Sequence, residues 1–354
     1  MTRNPSLIVA DRRSLTRCVL LILLSFSIQV WCQQSAPLKQ EGAPLKQVGA
    51  LQFPPEVNGH FDHISIDLKG NRLFTTPEDY KAVVVFDLKS EKPIHNIGPI
   101  GRPHAVLYRQ DLDRIYVTDG GEGALKIFDG KSYKLLQNVK LLVDADSIGY
   151  DPSTHYLYID NGGGDAHQTY SMLSIVDTTT GKKLADIKID GDTLEAMALE
   201  QSTPKLYVNN KAKNEVEVVD RNTRAVASSW PVTLGKTNVA MALDEASHRL
   251  YVACRSGQIV VFNTLTGKEQ QSLPIAKGVD DLVYDSASKR LYASCDGVID
   301  VYEVVDSDHY QSLGEVTSGP QAKTARLVPE LHRYYVAVPK QGSDNAKILI
   351  YEVP

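Results

Sequence analysis

Hydrophobic and polar positions alternate along this chain in short runs, and the runs recur as a unit seven times. Each unit opens on a basic or aromatic residue, an aliphatic or aromatic one and a large aromatic: RLF from Arg72, RIY from Arg114, YLY from Tyr156, KLY from Lys205, RLY from Arg249, RLY from Arg290 and RYY from Arg333. A short apolar run ending in an acid or amide follows: VVVFD (Val83 to Asp87), LKIFD, LSIVD, VEVVD, IVVFN, IDVYE and ILIYE (Ile348 to Glu352). The middle residues of the opening triplets are spaced by 42, 42, 49, 44, 41 and 43 residues. Period-two alternation predicts strands, and Arg255-Ser256-Gly257 between two such runs predicts a tight turn. A further run such as Lys182 to Ile189 follows turn-formers like Thr180-Gly181-Lys182, so each unit holds four strands. A period in the forties built only of short strands is the signature of a β-propeller.

The last unit ends at Pro354, just after its third strand, while Lys46 to Phe53 (KQVGALQF) resembles a fourth strand and precedes the first complete set. Pairing that N-terminal strand into the last unit leaves no unpaired edge. The expected fold is therefore all-β, a seven-bladed propeller of four-stranded antiparallel blades over residues 46–354, closed by its N-terminal strand. Residues 33–45, with the duplicated APLKQ, read as a flexible lead-in.

Residues 1–32 read as a signal peptide. Arg3, Arg12, Arg13 and Arg17 form a basic region ahead of a 12-residue apolar core, Val19 to Val30, too short to span a membrane. Val30 and Cys32 suit cleavage before Gln33, which places the protein in the periplasm or outside the cell with no membrane span in the mature chain. Cleavage removes four Arg and Asp11, leaving 34 basic and 42 acidic residues, a net charge of −8. That balance argues against nucleic acid as a partner, which needs a basic stripe. Cys254 and Cys295 occupy equivalent places in neighbouring units (YVAC, YASC) and read as two buried thiols rather than a disulfide. His309, in DSDHY, reads as surface, and the repeated Tyr positions read as core.

The units resemble the YVTN-type repeats of YncE-like bacterial propellers: RLYVA-like second strands, xVxVxD third strands and DxxTGK turns. The resemblance runs over about residues 46–354. It implies fold and export, and no one reaction. Quinoprotein propellers carry a Trp in most blades, whereas Trp230 stands alone beyond the leader.

In a propeller the first strand of each blade lines the central channel, and the loop ahead of it opens on the same face as the loop between second and third strands. That reasoning places His60, Asp62, His63, His104, Asp146, Glu195, Asp280, Asp281 and Lys323 at one channel mouth as ligand-binding candidates. The long third-blade loop adds Asn161, Asp165 and His167, and equivalent loops add Asn209 and Arg255. Asp62, His104, Asp146, Glu195 and Asp281 form the candidate metal set. Oxygen donors with one or two His suit Ca²⁺, Mg²⁺, Mn²⁺ or Zn²⁺. The alternative is a polar lining that only hydrogen-bonds channel water and backbone. No GxSxG, HExxH or CxxC motif occurs.

Three functions are consistent with these residues. The first is an exported, soluble, monomeric propeller that binds a small molecule or an envelope protein at the mouth. The second is a metal-dependent hydrolase, by analogy of fold with the lactonases of the gluconolactonase and regucalcin group. The third is a structural adaptor without a ligand.

Overall fold

The structure, a computed structural model, describes residues 43–354. The leader (1–32) and residues 33–42 of the lead-in lie outside the described residues. The described chain forms 28 strands in seven four-stranded sheets, every pairing antiparallel. Six blades are consecutive quartets. The seventh is built from Thr324–Val328, Arg333–Val338 and Lys347–Glu352, completed on its outer edge by the N-terminal strand Lys46–Gln52. The ring is closed, with Lys46 opposite Glu352 and Leu51 opposite Ile348.

The repeated triplets are the cores of the blades. The middle residues Leu73, Ile115, Leu157, Leu206, Leu250, Leu291 and Tyr334 are all fully buried. The basic residue ahead of the aliphatic one points elsewhere, and in four blades it reaches the third-to-fourth-strand turn of the next blade. The Arg72 guanidinium donates to the Gly130 carbonyl, and Arg114 donates to the Thr178 and Thr179 carbonyls at 3.2 and 3.1 Å. Lys205 donates to the Thr264 carbonyl at 3.3 Å and Arg249 to that of Ser307 at 2.8 Å. The motif that repeats in sequence thus supplies a series of latches between blades.

The acid or amide ending the third strand shapes that same turn. Asp87, Asp129, Asp177, Asp220 and Asn263 each accept backbone N–H groups two and three residues on, between 2.6 and 3.3 Å. These Asx turns aim the fourth strand back along the blade. Cys254 and Cys295 are buried free thiols, each held far above the usual thiol pKa, chiefly by burial. His309 is exposed and bonds Asp306 within the turn. No helix among the described residues is long and apolar enough to cross a membrane.

Candidate functional site

Because every blade has the same layout, one position in each falls at the same height in the channel. Ten residues before each triplet stand Asp62, His104, Asp146, Glu195, Val239, Asp280 and Lys323, and all seven line one cavity of about 310 Å³ at the mouth. Six residues after the start of the triplet, in the loop above, three blades place Glu78, Lys211 and Arg255, which line the same cavity. Gly120 holds the equivalent place beside His104.

Asp62 is the centre. Its carboxylate is 2.7 Å from His104 Nδ1 on one side and 3.4 Å from His63 Nε2 on the other. His104 Nδ1 lies 3.8 Å from Asp146, and His63 Nδ1 lies 3.7 Å from Asp281. The His104 ring is only 5% exposed, and its Nε2 has no hydrogen-bond partner. Ligand atoms of Asp62, His63 and Asp146 lie within 4.8 Å of one another, and so do those of Asp62, Glu78 and His104. Asp62 belongs to both groups.

The electrostatics follow from crowding charge in a narrow channel. Burial would lower the pKa of His63, but Asp62, Asp281 and Asp146 outweigh it and raise it to about 9. His104 is raised to about 10 against burial by Asp146 and Asp62. Burial would lift Asp62, yet the two imidazoles hold it well below the usual carboxylate range. Asp146 moves the other way: burial and the neighbouring Asp62 charge push it up to about 8. Asp281 is raised to about 6, mainly by burial. The carboxylates thus divide into ionised and proton-holding members, as expected where like charges share a site.

Several other mouth residues are paired. Glu195 is bonded by Lys211, and Asp280 by both Arg255 and Lys323, the latter at 3.2 Å. Arg102 donates to Glu78 at 2.9 Å and lies 4.0 Å from Asp165. The loop carrying Arg102 is fixed from beneath: buried Asp119 accepts N–H groups of Gly101 (2.7 Å) and Arg102 (3.0 Å) and pairs with buried Lys126 at 2.8 Å. Asp281 accepts the Ala325 N–H at 2.7 Å.

His60, Asp62, His63, His104, Asp146, Glu195, Asp280, Asp281, Lys323 and Arg255 are therefore together on one cavity wall. Of the expected metal set, Glu195 and Asp281 fall outside both three-residue groups, and His63 and Glu78 take part instead. The loop residues are placed differently. The Asn161 amide is turned into its own blade, donating to the Ile159 carbonyl and accepting from Leu142 N–H. Asn209 is fully buried between blades, donating to the Ala240 carbonyl and accepting from Asn238. Asp165 and His167 are exposed on the third-blade loop. Sequence reasoning missed Glu78, Arg102 and Lys211. The signal was present: Glu78 and Lys211 are register-equivalent to Arg255, and Arg102 lies two residues before His104.

Comparison with known proteins adds fold and nothing finer. No family model matches the chain, and no curated protein does. A chain in the crystal structure of the mitotic checkpoint complex superposes with a TM-score of 0.73 at 14% identity, covering 96% of this chain and 99% of its own. Hydrazine synthase of Kuenenia stuttgartiensis superposes with a TM-score of 0.69 at 15% identity, over 83% of this chain and 96% of the other. At such identities the likeness is one of propeller architecture, a fold that carries many unrelated activities.

Proposed function

We propose that this chain is an exported, single-chain, metal-dependent hydrolase, acting on small lactones or esters at the mouth of the propeller channel. The observation that carries the reading is Asp62, a carboxylate shared by two groups of three convergent donors, one with His63 and Asp146 and one with Glu78 and His104. Mixed carboxylate and imidazole donors suit a divalent cation, Mn²⁺ or Zn²⁺ above Ca²⁺. The residues present fit such a group. Asp62, His63 and Glu78 come from the first blade, His104 from the second and Asp146 from the segment leading into the third, so ring closure sets the distances among them, and loss of a proton from His63 or His104 frees a donor nitrogen. When bound, the cation would polarise a carbonyl and activate water.

The chain's own side chains supply the rest. Asp146, beside both His63 and His104, is placed to exchange a proton with water. Lys211, Arg255 and Lys323 ring the opening and would orient anionic substrate groups, and the buried Nε of Arg255 has a donor to spare. Export rests on the basic, then apolar, leader ahead of Gln33.

The test is hydrolysis of a lactone and aryl-ester panel before and after chelation. Turnover that vanishes with chelator, returns with Mn²⁺ or Zn²⁺ and is absent from Asp62→Asn supports the reading. Turnover unchanged by chelator, or none with any cation, overturns it.

A further inference from the structure

Below the mouth the channel changes character. A second cavity of about 230 Å³ shares His63, Ser147, Ala196 and Asp281 with the first and continues between the inner strands. Its apolar walls include Ile64, Val106, Leu107, Ile148, Met197 and Leu282, with Ser65 and Tyr150 beside them. One residue breaks the pattern. Seven positions before each triplet stand Ser65, Leu107, Gly149, Ala198, Ala242 and Val283, all small or apolar, and in the last blade Arg326. Arg326 lines this cavity. Unlike Arg102, Lys211, Arg255 and Lys323, it makes no side-chain hydrogen bond or ion pair among the described residues.

A guanidinium that faces the lumen with no protein partner has its fork of N–H donors open to an incoming anion. Arg326 is exposed to channel solvent, while the protein crowded around it pulls its pKa below the usual arginine value despite Asp281 and Glu330. None of the residues at the other six positions carries a charge that could pair with it.

We propose that Arg326 anchors the carboxylate of a small aliphatic acid inside the channel, with the alkyl body against Ile148, Met197 and Leu282. A guanidinium matches a carboxylate by two parallel N–H donors, and the apolar wall selects a hydrocarbon body over an inorganic ion. At about 30 Å³ per water-sized group, the cavity takes on the order of seven or eight heavy atoms, the size of hexanoate. This binding does not rest on the cation reading, and its test excludes cations.

The experiment is calorimetric titration of the full chain in excess chelator with butyrate, hexanoate, 1-hexanol, chloride and phosphate. Hexanoate should bind, butyrate more weakly, and 1-hexanol about tenfold or more weaker, as for loss of a charged hydrogen bond. Arg326→Met should lower hexanoate affinity by a similar factor with an unchanged circular dichroism spectrum. No binding of hexanoate overturns the proposal. So does equal binding by Arg326→Met, or phosphate or chloride binding as well as hexanoate. The chain-length series on the parent protein decides the matter if the variant fails to fold.

Discussion

Replacing Leu51 by Ala tests ring closure at the strand that completes it. Leu51 is 0% exposed and packs with Phe53, Phe86 and Ile348, where the first and last blades meet. Truncating a fully buried leucine removes its transfer energy and leaves a cavity, a loss of about 2–5 kcal/mol. Val48, on the same strand, is 44% exposed. Val48→Ala should therefore stay within about 0.5 kcal/mol of the parent. Leu51 lies opposite Ile348 in the register. Ile348→Ala combined with Leu51→Ala should depart from additivity by about 0.5–3 kcal/mol, as contacting residues do. Urea unfolding followed by far-ultraviolet circular dichroism gives all four values, with an unchanged slope as the check that only stability moved. If Leu51→Ala and Val48→Ala lie together near the parent, the N-terminal strand does not close the ring.

Three further outcomes are expected. Asp119→Asn should lose about 1.5–3 kcal/mol at neutral pH by breaking the buried pair with Lys126, which keeps Glu122 at 2.8 Å and the Pro99 carbonyl at 3.0 Å. Burial alone would raise the Asp119 pKa, but Lys126 and the N–H groups of Gly101, Glu122 and Arg102 hold it below the usual value. Its contribution is thus complete above the unfolded carboxylate pKa and fades as pH falls through the folded one. The gap between parent and variant should close in acid, and a gap constant from neutral pH down to about pH 2 contradicts the pairing. Gly120→Ala places a methyl 2.6 Å from His104 Cδ2, so the ring must shift off Asp62. Cation affinity should fall about 10–100-fold, as for loss of a supporting contact, and the overpacking should cost about 1–3 kcal/mol of stability. Unchanged affinity by calorimetry removes His104 from the site. Arg72→Gln should lower the unfolding midpoint more than Arg290→Gln, because Arg72 bonds Asp67 at 2.7 Å and sits over Tyr133 of the next blade. Equal midpoints dispose of the latch.

The architecture was legible because every blade spells it again. Seven copies of one strand pattern make the count, the four-strand blade and the missing last strand visible without any fold precedent, and the 49-residue spacing marked the third-blade loop. The mouth was legible for the same reason: a fixed offset from Arg72, Arg114 and their equivalents puts Asp62, His104 and Asp146 at one height. What the offset cannot show is who pairs with whom. Glu195 and Asp281 carry the right chemistry, but Lys211 claims one and the Ala325 N–H bonds the other. Those partners come from other blades or from loops whose conformation depends on the closed ring. Asn161 and Asn209 illustrate the complementary limit. Each occupies a loop position on the functional face, yet its amide satisfies backbone groups inside the fold rather than facing the channel. Glu78 went unnoticed because it sits in a short 3-10 turn, Glu78–Tyr80, and the residue type at its offset changes from blade to blade (Gly120, Lys211, Arg255, Asp296).

The central claim is a cation held at Asp62, and electron paramagnetic resonance of Mn²⁺ tests it most directly. Protein stripped with chelator and desalted is titrated with Mn²⁺, and the sharp signal of free ion reports what remains unbound. The account predicts one equivalent withdrawn from the free signal by the parent protein, none by Asp62→Asn, and full competition by Zn²⁺. A free Mn²⁺ signal that the parent leaves unchanged, or that Asp62→Asn depletes equally, contradicts it.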